Sequence, residues 1–195
     1  MHTIAWLTDM SRFTISDTKL AGLKIIERHP LGDERGFLAR VFCSSELAAA
    51  GWLQPIAQIN HTSTQRQGSV RGMHYQQPPH AEMKLVSCLW GAVWDVAVDL
   101  RAGSPTFLQW HAEELSANNC RALLIPEGFA HGFQTLEDDC GLLYIHSKAY
   151  TPTAEAGLHA SDPRLAIHWP LDISNLSVRD DQHTLLDVQF KGVTL

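Results

Sequence analysis

Two histidines have neighbours that favour a chemical role. His74 lies in Val70-Arg71-Gly72-Met73-His74-Tyr75-Gln76, where an arginine, a glycine and an aromatic residue surround it on a strand-like stretch. His131 follows a rigid turn at Pro126-Glu127-Gly128. An imidazole near neutral pH can act as a general base or bind a metal ion, so both residues are candidates for either chemistry. The chain has 11 histidines, and we interpret the others as surface or packing residues.

The segment that ends at His131 matches half of a known motif. Pro126-Glu127-Gly128-Phe129-Ala130-His131 resembles the P-x-G-x-x-H half of the cupin signature, which belongs to small double-stranded β-helix barrels. In a metal-binding cupin the other half is H-x-H with a glutamate a few residues later. Here Gln76 replaces the second histidine, and Glu82 lies one residue beyond the usual spacing. Because an amide oxygen is a poor ligand for iron, manganese or zinc, we expect the barrel without a metal site, and His74 free to act as a base.

Three further polar residues are ambiguous on sequence alone. Lys84 lies on the next strand if a turn around Pro78-Pro79 folds the chain back. It then points either into the barrel mouth, where burial requires an anionic partner, or into water at a strand end. Tyr144 has leucine and isoleucine neighbours, which is typical of a core position. Asp180 lies near the start of a predicted C-terminal helix, where the helix dipole favours an acidic residue.

Strand patterns dominate the chain and must position these residues. Between Ala92 and Leu100, apolar residues alternate with a second set that includes Asp95 and Asp99, which is the period of a strand. Turn residues separate such segments about every ten positions, as in antiparallel sandwiches and barrels. We predict a mainly β fold, a cupin-type jelly-roll barrel with few short helices. The clearest predicted strands are Ala92–Leu100, Phe107–Glu113, Arg121–Ile125 and Leu142–His146, and the predicted helices are Ser44–Ala50 and Arg179–Leu186.

Composition limits the classes of protein that this chain can belong to. It has 195 residues, 45% of them hydrophobic, with a net charge of −6, which excludes wholesale disorder and a nucleic-acid binder that relies on diffuse basic attraction. The four cysteines form no C-x-x-C pair, so we expect reduced and mostly buried thiols. Residues 1–10 show no secretory signal, and the longest apolar stretch is too short to span a bilayer. We expect one cytoplasmic domain over residues 1–195, with its core at about 15–186, and no membrane partner.

Several motifs in order resemble the dTDP-4-dehydrorhamnose 3,5-epimerase family. Because they follow one another at compatible spacing from about Ile15 to Leu186, a chance match is very unlikely. The motifs are Gly32-Asp33-Glu34-Arg35-Gly36-Phe37, Gln58-Ile59-Asn60, Arg71-Gly72-Met73-His74-Tyr75-Gln76, Asp95-Val96-Ala97-Val98-Asp99-Leu100-Arg101, Gly103-Ser104-Pro105-Thr106-Phe107, Ile125–Phe133, Leu143-Tyr144, Asp162-Pro163 and His168-Trp169-Pro170.

The resemblance implies a metal-free, cofactor-free homodimer with a cupin fold that acts on a nucleotide-linked 4-keto-6-deoxyhexose. In such a family member, His74 is the base, Asp180 orients it, Lys84 stabilises the enolate and Tyr144 is the acid. The remaining implied site residues bind the substrate. Arg71, Gln58, Asn60, His131 and Tyr150 match positions that line the sugar and diphosphate site, and Arg35 and Arg40 match positions near the nucleotide.

Two positions depart from the family pattern. The family usually has a glutamate where this chain has Arg40, and a large aromatic residue at the position of Ala160. A carboxylate accepts the ring N–H of thymine or uracil, whereas a guanidinium only donates, which suits cytosine. The alternative is that Arg40 points elsewhere and stacking holds the base. Both departures leave the nucleotide open between dTDP and CDP, and the number of inverted centres open between one and two.

Two other functions remain as alternatives on sequence alone. A metal-dependent cupin oxygenase or isomerase keeps His74 and His131 as ligands. A non-catalytic sugar-binding cupin has no need of the complete set of base, acid and enolate-stabilising residues.

Overall fold

The computed structural model describes residues 11–195. Within this range the chain forms thirteen strands, two one-turn α-helices and a short 3-10 helix at Ala48–Ala50. The strands are β1 Phe13–Asp17, β2 Lys24–Arg28, β3 Leu31–Asp33, β4 Gly36–Leu38, β5 Gln58–Thr64, β6 Val70–Gln76, β7 Lys84–Trp90, β8 Ala92–Asp99, β9 Trp110–Ser116, β10 Arg121–Ile125, β11 Phe129–Thr135, β12 Cys140–His146 and β13 Glu155–Gly157, and the α-helices are α1 Ser44–Leu47 and α2 Val178–Asp181.

Two antiparallel sheets form the barrel. One has six strands in the order β1-β2-β10-β7-β12-β5, and the other has five in the order β13-β6-β11-β8-β9. The strands β3 and β4 form a separate hairpin. Side chains of both sheets meet in one buried apolar cluster, in which Val86 and Leu123 of the larger sheet join Val93 and Phe133 of the smaller one. The core therefore lies between the sheets, and the predicted cupin-type barrel is confirmed.

Short buried strands were predicted best. The strand β10 has the predicted bounds, β8 ends one residue earlier, and β12 begins two residues earlier than predicted. The predicted strand Phe107–Glu113 is wrong in its first half. Leu108 has a φ of 62°, and its N–H donates to the carbonyl of Asp99, so this part of the chain is a turn and the strand begins at Trp110.

The helices are shorter than the sequence patterns predict. α1 covers only Ser44–Leu47, and the 3-10 helix completes the predicted segment up to Gly51, whose φ of 100° ends it. α2 ends at Asp181 instead of Leu186. The reason is a tertiary contact, because the N–H of Leu186 donates to the carboxylate of Asp162 rather than to a helical carbonyl.

The remaining general predictions have mixed outcomes. All four cysteines are free, but only Cys88 and Cys140 are buried, while Cys43 and Cys120 are partly exposed. Within residues 11–195, no helix is long and apolar enough to cross a membrane. The prediction that residues 1–10 carry no secretory signal lies outside the described residues.

Leu123 provides a test of the core between the sheets. It is fully buried, so we expect Leu123→Ala to lower the free energy of unfolding by about 2–5 kcal/mol, through lost burial and the cavity left behind. Leu53 is 78% exposed, and Leu53→Ala is the matched control, with an expected change of at most about 0.5 kcal/mol. Urea unfolding measures both variants. Equal effects of the two substitutions would contradict this placement of the core.

Candidate active site

An open cavity of about 280 Å³ lies between the two sheets. Both sheets contribute polar side chains to its wall. Arg71, His74 and His131 come from the five-stranded sheet, and Asn60, Lys84 and Tyr144 come from the six-stranded sheet. The fold thus brings together residues that lie far apart in the sequence.

His74 and Asp180 form a hydrogen-bonded pair at this cavity. The Nε2 atom of His74 lies 2.7 Å from Oδ1 of Asp180, although the residues are 106 positions apart. Burial opposes the charge on Asp180. The hydrogen bond and charge of His74, with donation from the Gly72 N–H, outweigh that burial and lower the pKa of Asp180 to about 2. The aspartate is therefore a fixed anion that can orient the imidazole and stabilise its protonated form.

Local backbone features fix this pair. Ser177 caps α2 by accepting the N–H of Asp180, which sets the position of the carboxylate. Gly72 has a φ of +127°, and a Cβ there would lie 2.6 Å from the Cα of Gly132 on the neighbouring strand. A side chain at position 72 would force β6 and β11 apart. Their close approach places His74 directly opposite His131 in the strand register.

Lys84 is buried in the barrel and has the anionic partner that burial requires. Its Nζ lies 3.2 Å from Oε1 of Glu82, and it donates to the carbonyl of His74 at 3.3 Å. His146 reaches the other carboxylate oxygen of Glu82 at 3.0 Å. Burial opposes the charge on Glu82, but His146 and Lys84 together hold the pKa of its carboxyl below the usual value. Of the two positions that the sequence allowed, the barrel interior and the water-facing strand end, Lys84 therefore has the interior one.

Tyr144 stands at the cavity wall instead of being wholly enclosed in the core. Its ring packs edge-on against His131, with centroids 5.7 Å apart, and it stacks against His146 at 6.0 Å. Burial and then the charge of Asp95 raise the pKa of Tyr144 far above its usual value. The phenol therefore keeps its proton at neutral pH and can donate it.

His131 belongs to a second histidine–carboxylate pair. Its Nε2 lies 2.9 Å from Oδ2 of Asp95, and both side chains are buried. Gln76, which replaces the second histidine of a metal cupin, uses its amide to bind backbone. It donates to the carbonyls of His80 and Ala149, and accepts the N–H of Thr151. The Gln76 side chain therefore stabilises the backbone around the cavity.

Three further predicted substrate-binding residues line the cavity, and a fourth, Gln58, supports two of them. Asn60, Arg71 and Tyr150 line it directly. Gln58 holds two neighbours, because its Nε2 donates to Oδ1 of Asn60 and its Oε1 accepts the N–H of Tyr150. The Nε of Arg71 donates to Oγ1 of Thr64 and its Nη2 donates to the carbonyl of Ser63 at 3.4 Å, which leaves Nη1 available to a ligand.

Arg35 and Arg40 do not reach the cavity of their own chain. Arg35 lies on the β3–β4 hairpin, is 84% exposed and forms an ion pair with Asp33. Arg40 pairs with Glu46 of α1. Neither side chain therefore lines the cavity of its own chain, and the position of both residues near the nucleotide stays a prediction.

Sequence reasoning missed four cavity residues, namely Glu82 as a partner of Lys84, His146, Glu155 and Arg179. Arg179 lies next to Asp180, and its Nη2 is 3.2 Å from Nε2 of His74. Its Nη1 also binds Glu155 at 3.0 Å. The only signal for Arg179 was its position beside Asp180, and His146 had none, since it ends an otherwise apolar strand.

Comparisons with known proteins agree with this architecture. The sequence model of the family described as dTDP-4-dehydrorhamnose 3,5-epimerase matches residues 17–187. The enzyme of that name from Shigella flexneri is 42% identical over 164 residues, which cover 84% of this chain and 90% of that protein. A dTDP-4-dehydrorhamnose 3-epimerase from Streptomyces niveus is 44% identical over 131 residues, which cover 67% of this chain and 63% of that protein.

A solved structure is similar over nearly the whole chain. The dTDP-6-deoxy-D-glucose-3,5-epimerase of Legionella pneumophila, in complex with dTDP-4-keto-L-rhamnose, superimposes with a TM-score of 0.86 at 40% identity, and the match covers 93% of this chain and 98% of that one. The predicted resemblance is confirmed, and the chain belongs to the dTDP-4-dehydrorhamnose 3,5-epimerase family.

Proposed function

We propose that this protein is an isomerase that inverts C3 and C5 of dTDP-4-dehydro-6-deoxy-D-glucose and yields dTDP-4-dehydro-L-rhamnose. The observation that carries the proposal is the placement of a base and an acid on facing sheets. His74 with Asp180 reaches the cavity from the five-stranded sheet, and Tyr144 reaches it from the six-stranded sheet. Inversion at a carbon requires removal of a proton from one face and its return to the other.

The proposed reaction begins with proton abstraction beside the ketone. His74 takes the proton from carbon, and the electron pair of that C–H bond moves toward the ketone oxygen to form an enolate. Asp180 stabilises the imidazolium that results. A positioned base of this kind contributes about 10²–10⁴-fold to the rate. The ketone of the substrate delocalises the charge, so these steps run through the side chains of the chain itself.

Lys84 and Tyr144 complete the proposed reaction. The ammonium of Lys84, held by Glu82, stabilises the negative oxygen of the enolate in a site of low polarity. Tyr144 then delivers its proton to the opposite face of the carbon. Its raised pKa keeps that proton in place until a carbanion strong enough to take it has formed. His74 then releases its proton to solvent and Tyr144 regains one from it, after which the same cycle at the second carbon completes the double inversion.

The diphosphate has cationic and amide partners at the proposed site. Arg71 and Arg179 present guanidinium groups, which bind phosphate oxygens through paired N–H donors. Asn60 and Tyr150 line the same cavity. Relatives named for dTDP-linked sugars, among them a structure in complex with dTDP-4-keto-L-rhamnose, favour dTDP over CDP as the carrier nucleotide. Similarity to the Streptomyces niveus 3-epimerase makes single inversion at C3 the second candidate reaction.

Deuterium incorporation tests the proposal and separates its two forms. In D₂O, we expect the wild-type protein to place deuterium at both C3 and C5 of the dTDP-linked ketosugar, as measured by NMR. Deuterium at C3 alone would support the single-centre reaction. Absence of deuterium at both carbons would refute epimerisation.

His74→Ala is the variant that tests the base. We expect exchange at both carbons to fall by about 10²–10⁴-fold, while dTDP binds with nearly unchanged affinity by calorimetry. The matched control is His29→Ala, a histidine on the surface away from the cavity, which should behave as wild type. Full exchange in the His74→Ala protein would eliminate His74 as the base.

A second copy of the chain is proposed to cover the β3–β4 hairpin. All six strand residues of this hairpin are exposed, including Phe37 at 76% and Leu38 at 74%. A two-stranded hairpin without packing is only marginally stable, and exposed apolar side chains of this size favour an interface. Ile59 on the edge strand β5 is also exposed, at 56%. In a homodimer, the hairpin can carry Arg35 toward a nucleotide site on the other copy.

The oligomeric state tests this interface. We expect the wild-type protein to be a dimer by sedimentation velocity, and the double variant Phe37→Ser/Leu38→Ser to shift toward monomer because the apolar contact is lost. Val188, 75% exposed and outside the hairpin, provides the control Val188→Ser, which should remain dimeric. A monomeric wild type, or a hairpin variant that dimerises as tightly, would contradict the proposed interface.

Acid titration tests the charge on Asp180. Its folded pKa of about 2 lies below its ordinary value of 3.8, so its charge stabilises the fold above pH 4 and this contribution is lost as the pH falls toward 2. We expect Asp180→Asn to lower the free energy of unfolding by about 2 kcal/mol at pH 7, and the difference from wild type to narrow between about pH 4 and pH 2. The neighbouring exposed Asp181 gives the control Asp181→Asn. A difference that stays constant with pH would show that this carboxylate is not specially stabilised.

A further inference from the structure

The side chain of His183 lies beside the His74–Asp180 pair and adds a third potential metal-binding group there. It lies just after α2, and its ring packs edge-on against that of His74 with centroids 5.9 Å apart. Its Nε2 is 3.9 Å from Oδ1 of Asp180. The ring fits against β13 only because residue 157 is glycine, since a Cβ there would lie 2.1 Å from Nε2 of His183. The imidazole is therefore closely enclosed and aimed at the pair.

The ring nitrogen that faces the pair is unsatisfied. The Nε2 atom of His183 is buried, and within residues 11–195 it has no hydrogen-bond partner. A neutral imidazole offers a nitrogen lone pair, which is the form that binds metal ions. The catalytic steps proposed above make no use of this residue.

We propose that His74, Asp180 and His183 form a binding site for Zn²⁺, and that the bound ion inhibits the enzyme. One ligand atom from each residue lies within 4.8 Å of the other two. Zinc bonds of about 2.0–2.2 Å at tetrahedral angles need ligand atoms about 3.3 Å apart. The nitrogen of His74 must move out from its 2.7 Å contact with Asp180, and that of His183 must move in from 3.9 Å. Both shifts are within the range of side-chain rotation.

The ligand set suits zinc better than a hard cation. Two imidazole nitrogens and one carboxylate, with a fourth position open to water, are typical zinc ligands, whereas Mg²⁺ prefers six oxygens in an octahedron. The carboxylate is also supported from behind, because Oδ2 of Asp180 accepts the N–H of Gly72 at 3.3 Å. Such outer hydrogen bonds fix the orientation of metal ligands.

Arg179 already supplies positive charge at this point and must compete with the ion. Its Nη2 lies 3.2 Å from Nε2 of His74, and its Nε lies 3.6 Å from Oδ1 of Asp180. The side chain is 55% exposed, and Glu155 at 3.0 Å offers it another partner. Arg179 can therefore leave when zinc enters. Its presence sets the affinity of the site, and its removal should raise that affinity.

The consequence for activity rests on the proposed function. Zinc replaces the proton that Nε2 of His74 donates to Asp180, and this proton moves to Nδ1, the nitrogen that would otherwise accept a proton from carbon. The ion also draws Asp180 away from its role as hydrogen-bond partner of the base. An imidazole bound in this way cannot accept a proton from carbon. Inhibition is reversible, because a chelator removes the ion and restores the pair.

Calorimetric titration with ZnCl₂ tests the site without reference to activity. We expect one ion per chain in the wild type, affinity weakened by roughly tenfold or more in His183→Leu, and tighter binding in Arg179→Gln. His183→Gln, which retains a polar side chain, serves as a second variant, and circular dichroism checks that each variant is folded. His29→Leu is the control for surface histidines, and MgCl₂ should give no heat. Unchanged zinc affinity in both folded His183 variants would overturn the proposal.

The activity measurement is a separate arm. We expect ZnCl₂ to stop deuterium exchange in the wild type, EDTA to restore it, and His183→Leu to continue exchange at the zinc concentration that inhibits the wild type. Zinc binding that depends on His183 without inhibition would refute the regulatory part alone. If the wild type shows no exchange even with EDTA, the proposed function fails, while the calorimetric result still decides the zinc site.

Discussion

The hydrogen bond between His74 and Asp180 is the contact on which the arrangement of the cavity depends. It joins His74 on β6 to Asp180 on the one-turn helix α2, 106 residues later in the sequence. The C-terminal segment therefore has to return to the five-stranded sheet. Oγ of Ser177 accepts the backbone N–H of Asp180, and the N–H of Gly72 donates to its carboxylate. The carboxylate is thus held before any ligand arrives, and the orientation of the imidazole follows from it.

Buried charge in the cavity is balanced pair by pair. Asp180 faces His74, Asp95 faces His131, and Glu82 lies between Lys84 and His146. A buried ionised group without a partner costs several kcal/mol, so each carboxylate needs its own cationic or N–H partner. The net charge of −6 therefore says little about the site. Local pairing determines which groups keep their protons and which lose them.

Local pattern predicted those parts of the fold that local physics controls. The apolar run Arg121–Ile125 became β10 with the same bounds, because a short buried strand between turns has few alternatives. The predicted C-terminal helix was too long, since the contact of Leu186 with Asp162 could not be seen in sequence. The motifs around His74 and His131 pointed correctly to the cavity. Their partners Asp180 and Asp95 lie on other elements; the family resemblance identified Asp180, and only the fold identifies Asp95.

Some site features depend on more than one segment or one chain. His146 becomes a cavity residue only because Glu82, 64 positions away, binds it. Sequence spacing alone did not show whether Lys84 points into the barrel or into water. The structure shows that it points into the barrel, where it pairs with the buried Glu82. Arg35 lies on a hairpin that is exposed within residues 11–195, and its predicted role near the nucleotide rests on the proposed second copy. These are long-range effects, and periodicity carries no information about them.

The central claim is that base and acid are different residues on facing sheets. The most direct measurement is NMR of Tyr144→Phe with the dTDP-linked 4-keto-6-deoxyglucose in D₂O. We expect that His74 still exchanges the C3 proton in this variant but returns deuterium to the face from which the proton was taken. Labelled substrate of unchanged configuration should therefore accumulate. Inversion at the wild-type rate in this variant would contradict the account.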